Sequence, residues 1–538
     1  MAYQPTTDAG RAIDSARNAM WAFWAYLWAA IQYLWNLTPY DWPIWAKLLI
    51  YPIVLTLIRM LVVGWHDIWD GLLGRKGDVF GKAKFANMND LKRAGMLQPG
   101  GRFLGQFKGR NISLHGEGHI LTIAAQGGGK TTGLIIPTLL SYTTGTVIVT
   151  DPKGAITAQT KAMRETLGPV IVLNPWNEEL KSDPSFGLDL GDHGFNPLQL
   201  VGPDAQGMDA AAKVTGIILP DKKGGDPYWT REGRALLEWA MLFTAVTQPK
   251  GMLNLPNVRA MLMATPDLMK AFKAVYEGNQ KGPGWPTLKE GAAKYIGMLG
   301  KEAGGQFNGI LGAATDALKI YGIERTLANH VAAKGFDLTT LKGDKPITVY
   351  VICPPDHLIG DDVAWLNLTL ALICQQIGKP GFARETVLLV DEFPALGFLP
   401  NLMGSLEQFR EAGLRAHLIA QNPGQILSIY QKEGMVRLWG CCDVKQFFRF
   451  TDYQHAKDVS DWAGEITTLT TTKNARGEES VSMVGTPLIR PEELVGMKAD
   501  AQIILRPAMH PIRAKIFPYF KSGKWRDMVQ PNPYRRRA

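Results

Sequence analysis

Short unbroken apolar runs alternate, over much of the chain, with longer stretches whose apolar positions recur every three or four residues. The runs are rich in β-branched residues: Ile120–Ala125 (ILTIAA), Thr146–Thr150 (TVIVT), Val170–Leu173 (VIVL), Ile347–Ile352 (ITVYVI), Thr386–Val390 (TVLLV) and Leu414–Ala420 (LRAHLIA). Runs of that length and composition predict strands buried on both faces. Helical patterns lie between them at Leu134–Leu140, Trp365–Ile377 and Asn401–Ala412, the last with Arg410 near its end and Gly413 as its stop. Alternating strands and helices predict an α/β fold with a doubly wound parallel sheet. Val444–Phe450 and Gln502–Leu505 are candidates to extend it.

Two regions break the alternation. Residues 196–343 are rich in Ala, Met, Leu and Lys at helical spacing, as in Arg231–Thr247 and Leu268–Tyr276, and show no strand pattern. They predict an all-helical domain inserted between two parts of the sheet domain, 77–195 and 344–538. Residues 1–76 form an N-terminal membrane anchor and linker. Ala19–Leu37 is apolar and free of charge, and Trp42–Trp65 is apolar apart from Lys47 and Arg59, which can reach outward to the interface. These predict two transmembrane helices at about 19–37 and 43–65; an interfacial helix is the alternative for the second. A cleaved signal peptide fits less well, because the apolar run is too long and has no small-residue cleavage site. Arg11 and Arg17 precede the first span, Arg75, Lys76, Lys82 and Lys84 follow the second, and the turn between carries neither Lys nor Arg, which places both flanks on the cytoplasmic side. Thr467–Gly485 is polar and reads as a mobile loop or exposed hairpin, and the tail Tyr534–Arg537 as basic and disordered.

The chemistry concentrates at strand ends. The first run continues as Gln126-Gly127-Gly128-Gly129-Lys130-Thr131-Thr132 and then a helix. Strand, glycine loop, Lys-Thr and helix make a P-loop. Glycines let the backbone approach a polyphosphate closely, and the helix N-terminus adds free N–H groups and a positive dipole end. Lys130 would reach the β- and γ-phosphates of ATP, and the Thr131 hydroxyl would ligate Mg²⁺. The nucleotide-contacting set is Ala124, Gln126, Gly127, Gly128, Gly129, Lys130, Thr131 and Thr132; Ala124 stands where the usual pattern has its first Gly. Asp151, at the end of the second run, either lines the same site or forms an Asp-Pro turn. Thr386–Val390 ends in Asp391-Glu392, the Walker B form, in which Asp391 would hold Mg²⁺ and Glu392 would activate the attacking water. Gln421 ends the next strand and either senses the γ-phosphate or is merely a polar strand end. Arg410, by position alone, reads as a surface or helix-terminal residue.

Composition adds little. A formal net charge of +9 is compatible with a nucleic acid or an anionic membrane as partner. The four cysteines, Cys353, Cys374, Cys441 and Cys442, show no metal-ligand spacing, and a reducing compartment is the simplest reading.

Taken together, AAQGGGKTTGLIIP, TDPKG (Thr150–Gly154), NPW (Asn174–Trp176), DPYW (Asp226–Trp229), VDEFPALG (Val390–Gly397) and IAQNPGQI (Ile419–Ile426) resemble the TraG-type coupling proteins of conjugative type IV secretion systems. The resemblance covers nearly the whole chain. It implies membrane spans at the bacterial inner membrane, a RecA-like motor ATPase with an inserted helical domain that recognises substrate, and a homo-hexameric ring. It implies that Arg410 is an arginine finger acting across a subunit boundary and that Gln421 is a γ-phosphate sensor. It further implies ATP and Mg²⁺ as cofactors, and DNA, a relaxase and secretion-channel components as partners. The short turn between the two spans departs from the family, as does Ala124. Two functions compete: a pump for a relaxase–DNA complex, and a receptor that recruits protein effectors without DNA. A third, a membrane-anchored assembly protein, makes no use of Lys130, Thr131, Asp391 and Glu392.

Overall fold

The computed structural model describes Ala25, Ala29 and residues 81–221, 226–299, 304–381, 385–473 and 479–535. The expected spans at 19–37 and 43–65 fall outside this set but for those two alanines. Among the described residues no helix is long and apolar enough to cross a membrane.

The described strands are β1 (Arg102–Phe107), β2 (Arg110–Leu114), β3 (His119–Ala124), β4 (Thr146–Thr150), β5 (Val170–Leu173), β6 (Thr348–Val351), β7 (Thr386–Val390), β8 (Leu414–Ala420), β9 (Cys442–Phe448), β10 (Glu465–Lys473), β11 (Glu479–Pro487), β12 (Ala501–Leu505) and β13 (Ile512–Lys515). Eleven of them share one sheet in the order β2-β1-β13-β12-β9-β3-β8-β7-β4-β6-β5. From β9 to β5 every pairing is parallel. Every residue of β3, β4, β6, β7 and β8 is buried, as unbroken apolar runs require.

Strand alternation decides what covers each face. Val147, Val149, Tyr350, Ile352, Val387 and Leu389 pack on one side with Leu139 and Ile156 from the helices Ile136–Ser141 and Ala155–Glu165. Their neighbours Ile148, Val349, Val351, Leu388 and Val390 pack on the other, with Leu366 and Leu370 of the helix Val363–Gly378 and Leu402 and Leu406 of the helix Pro400–Gln408. Between β5 and β6 the described elements are all helical. The longest, Pro227–Thr247, opens on Asp226, whose carboxylate accepts the Tyr228 N–H, with Pro227 in the first turn. It carries Trp239 into an aromatic cluster with Phe272 (ring centroids 4.5 Å) and, beyond it, Tyr295.

Several sequence expectations change. The helix at 401–412 ends at Gln408, so Arg410 lies beyond it, in a turn closed by Gly413 at φ 98°. Thr467–Gly485 falls within the hairpin β10–β11, a separate two-stranded sheet, which is the second of its two readings. Tyr534 and Arg535 of the tail are ordered: Tyr534 packs on Phe186 (5.4 Å) and its hydroxyl donates to the Lys153 carbonyl (3.0 Å). The first turn of the P-loop helix, Thr131–Ile135, is a π-turn.

The sheet is also not purely parallel. β12, β13, β1 and β2 continue it antiparallel from β9. A buried polar network stitches the two halves together. The His417 Nε2 lies 2.8 Å from the Thr122 hydroxyl, which donates to Gln446 Oε1 (3.0 Å). The Gln446 amide donates to the Leu104 carbonyl (2.7 Å) and to Gln502 Oε1, and the Gln502 amide donates to the Leu104 and Lys515 carbonyls. The Gln502 amide occupies the place a side chain would take at Gly105 (φ 131°), where β1 bulges; a Cβ there would sit 2.1 Å from it.

Burial pushes three histidines down: His417 to about 3, and His119 and His455 each to about 4, from an ordinary 6.5. The unfolded chain therefore binds these protons more readily than the folded one. Their stabilisation is complete above pH 6.5 and is lost as pH falls towards 4, by about 1.4 kcal/mol per unit per group. Carboxylates with depressed pKa values act only lower, near 4. The unfolding midpoint of the full-length chain should fall between pH 6.5 and 5, opposed below pH 6 by the Asp391 carboxyl, which burial raises to about 6, and His417→Gln should make that slope shallower. An unchanged slope in the variant would show that His417 is not held neutral.

Candidate functional site

Strands β3, β8, β7 and β4 lie side by side, and their carboxyl ends carry the chemistry. β3 delivers the loop Ala125–Lys130. Gly127 (φ 70°) and Gly129 (φ 85°) are left-handed, the alternation that turns successive N–H groups into an anion-binding concavity. Gly133 is required for a different reason: a Cβ there would meet Ile516 Cγ2 at 2.2 Å, so the helix after the loop can seat only without one. Ala124 is buried at the strand exit, whereas Gln126 and Gly127 are exposed. The Thr132 hydroxyl approaches the Gly129 carbonyl at 3.5 Å.

β7 ends in the two acids. Side chains of consecutive strand residues face opposite ways, so a straight continuation would send one of them away from the loop. The chain avoids this by turning Glu392 into the left-handed region (φ 58°, ψ 48°), a costly conformation for a residue with a Cβ. Glu392 Oε2 then lies 3.7 Å from Lys130 Nζ, with those side chains 26% and 11% exposed. Its other oxygen accepts the Gln421 amide at 2.8 Å. Gln421, at the end of β8, is itself fixed: its N–H donates to Gln425 Oε1 (3.2 Å), and Gln425 sits in the first turn of the helix Pro423–Cys441, capped by Asn422.

Asp391 is held through its backbone by Thr150, the last residue of β4. The Asp391 N–H donates to the Thr150 hydroxyl (3.0 Å), which donates back to the Asp391 carbonyl (3.4 Å). Burial pushes the Asp391 carboxyl up to about 6; Lys130 opposes the shift, and the neighbouring charges of Glu392 and Asp151 add to it. Its Oδ1 is shut off from solvent and has no hydrogen-bond partner among the described residues. A buried carboxylate oxygen left open close to the charge of Lys130 and its glycine loop fits a hard cation such as Mg²⁺, which takes few protein ligands when phosphate supplies the rest. Asp151 also makes local bonds. Its carboxylate accepts the Thr157 N–H (2.7 Å) and hydroxyl (2.8 Å), fixing the start of the helix Ala155–Glu165, and burial raises its pKa.

Lys130, Glu392, Gln421 and Asp391 are thus brought together, and Arg410 is not. It follows the helix Pro400–Gln408 at the opposite, amino end of β8, where it donates to the Cys441 carbonyl (2.7 Å) and pairs with Asp443 (3.4 Å). β8 is 7 residues long, so about 20 Å of strand separates Arg410 from Gln421.

Thr150 and Gln425 were not singled out from the sequence. The Asn422-x-x-Gln425 spacing is a visible helix-start signal for the second. Nothing in the spacing marks Thr150, whose part depends on β4 lying beside β7. The same is true of Asp192 and His330, 138 positions apart, whose side chains meet at 2.8 Å where the chain crosses between sheet and helical insertion.

A family profile described as type IV secretory system conjugative DNA transfer matches residues 81–535. The conjugal transfer protein TraG of Escherichia coli is 26% identical over 476 residues, covering 78% of this chain and 72% of that protein. The type IV secretion system-coupling protein VirD4 of Bartonella quintana is 24% identical over 428 residues, covering 76% of this chain and 63% of that one. Among solved structures, the plasmid coupling protein TrwB in complex with ADP and Mg²⁺ superposes with a TM-score of 0.56 at 18% identity, over 83% of this chain and 96% of that one. At that identity the likeness shows a shared fold.

Lys130→Ala should lose nucleotide binding and turnover, whereas Glu392→Gln should bind ATP as the unaltered chain does and fail to turn it over. Calorimetric titration beside a phosphate-release assay separates the two. Normal hydrolysis in either variant would overturn the assignment of these residues.

Proposed function

The chain belongs to the type IV secretory conjugative DNA-transfer family, and on that premise we propose that it is a membrane-anchored hexameric ATPase that couples a relaxase–DNA complex to a secretion channel and pumps the DNA. The observation that carries the ATPase reading is the meeting of Lys130, Glu392 and Gln421 at three neighbouring strand ends. In this reading the glycine loop and Lys130 bind the phosphates, and Glu392 takes a proton from the attacking water. Gln421, already bonded to Glu392, registers whether the γ-phosphate is present. Thr131 and Asp391 would hold Mg²⁺, which supplies charge neutralisation on the phosphate oxygens.

Arg410 supports the oligomer. It lies a full strand length from the nucleotide site of its own chain, so a role in hydrolysis requires a second copy. Its pairing with Asp443 and the Cys441 carbonyl presents the guanidinium, about a third exposed, at the opposite end of the sheet. The DNA reading rests on family membership and on the net charge of +9, which suits a phosphate backbone.

Hydrolysis by the full-length chain in detergent should rise on adding DNA, and the rise should shrink as salt increases. A rate indifferent to DNA at every salt concentration would move the cargo assignment to protein effectors. Arg410→Ala should be inactive alone yet regain activity when mixed with equally inactive Glu392→Gln, because the mixture contains interfaces with an intact finger and an intact base. Failure of the mixture to recover would count against action across subunits.

A further inference from the structure

The left-handed turn at Glu392 needs something to hold it, and the chain beyond it is held by a residue 38 positions away. Glu392 is followed by a short 3₁₀ turn, Phe393–Leu396, and then by Gly397, Phe398 and Leu399. Tyr430 closes over this strap. Its hydroxyl donates to the Gly397 carbonyl (3.2 Å) and accepts the Leu399 N–H (3.3 Å). Its ring stacks on Phe393, the residue directly after Glu392, with centroids 5.4 Å apart and planes 13° from parallel, and Phe398 leans on it (5.6 Å). Tyr430 is 5% exposed and Phe393 fully buried, so neither ring has freedom to shift.

Two features of the backbone around Tyr430 have no other evident use. Gln431 breaks the helix Pro423–Cys441 with φ 58° and ψ −176°, a region open almost only to glycine. One turn later Gly434 passes so close that a Cβ would sit 2.7 Å from the Tyr430 Cβ. Strain of this kind persists where the surroundings over-determine it. Here it adjoins the residue that pins the strap. The same helix begins at the Asn422 cap that fixes Gln425, and Gln425 fixes Gln421. One half-helix therefore holds Glu392 from both sides: through Gln421 at its carboxylate, and through Tyr430 at the backbone that follows it.

We propose that Tyr430 is a positioning residue for Glu392, setting the direction of the carboxylate that activates water by clamping the Phe393–Leu399 strap. This rests on the ATPase reading given above, and it adds to that reading a residue outside the P-loop and Walker B words. The hydrogen bonds of Tyr430 go to the strap, so its loss should act on the chemical step.

The test is Tyr430→Phe in the full-length chain in detergent, with kcat, KM for Mg·ATP, nucleotide binding by calorimetry and the unfolding midpoint measured together, and Lys130→Ala as the inactive control. The variant keeps the ring and its stacking and removes only the hydroxyl. The expected result is a fall in kcat of about tenfold or more, the scale on which small misplacements of a catalytic group act, with nucleotide binding and KM near their original values and only the modest drop in midpoint that follows from leaving two backbone groups without the hydroxyl. A kcat equal to that of the unaltered chain would overturn the role. So would a loss of kcat that merely tracks lost binding and a lowered midpoint, since that is what a packing residue gives. If the unaltered chain hydrolyses no faster than Lys130→Ala, the ATPase reading itself falls.

Discussion

The carboxyl end of β7 must present two adjacent acids to one lysine, and strand geometry opposes it. Alternation sends consecutive side chains to opposite faces. The left-handed turn at Glu392 resolves the conflict, and much of the surrounding structure can be read as what that turn requires. Thr150 anchors the backbone before the turn, Gln421 and Lys130 take the carboxylate, and Tyr430 secures the strap after it. A non-glycine residue in that conformation costs on the order of 1–3 kcal/mol, comparable to what a few hydrogen bonds to charged or buried groups return.

The anchors come from strands that are neighbours in space and distant in sequence. β8 lies between β3 and β7, so Gln421 falls between the P-loop and Glu392. β4 lies on the far side of β7 and supplies Thr150. The order β3-β8-β7-β4 is thus the reason four separate words of the sequence act at one place. The amino end of the same strands is a different environment. There Arg410, Arg415 and the buried Arg102 share carbonyls and acids: Cys441 O and Asp443 for the first, Glu385 for the second, Gly116 O and Gly118 O for the third. Arg102 and Arg415 are buried there, and of the three only Arg410 keeps its guanidinium about a third exposed.

The antiparallel extension makes the sheet wider than the site needs, and its attachment is polar. Thr122, Gln446, Gln502 and His417 lie fully buried and hydrogen-bonded across β3, β8, β9 and β12. Each such group left unpaired would cost about 1–3 kcal/mol, so a slip of one strand against another is penalised several times over. An apolar interface of the same size would tolerate slippage better. The network therefore fixes register where the sheet changes from parallel to antiparallel pairing.

The sequence by itself determined the buried parallel strands, because a strand covered on both faces has to be apolar throughout. It also determined the glycine loop, the acid pair and the absence of strand pattern in the insertion, since each is a local chemical requirement. It left the mixed character of the sheet unread: β1, β2 and β13 are short, and Arg102, Gln106 and Lys515 interrupt their apolar pattern. It put Arg410 inside a helix because the apolar spacing runs past Gln408, whereas packing stops the helix sooner. It left Asp151 open between nucleotide site and turn, and only the fold shows its carboxylate bonded to Thr157. Only tertiary structure could select Thr150, Tyr430 and the pair Asp192–His330. Their effect lies in a partner tens or hundreds of residues away, and a single chain read in order carries no record of which strand will lie beside which.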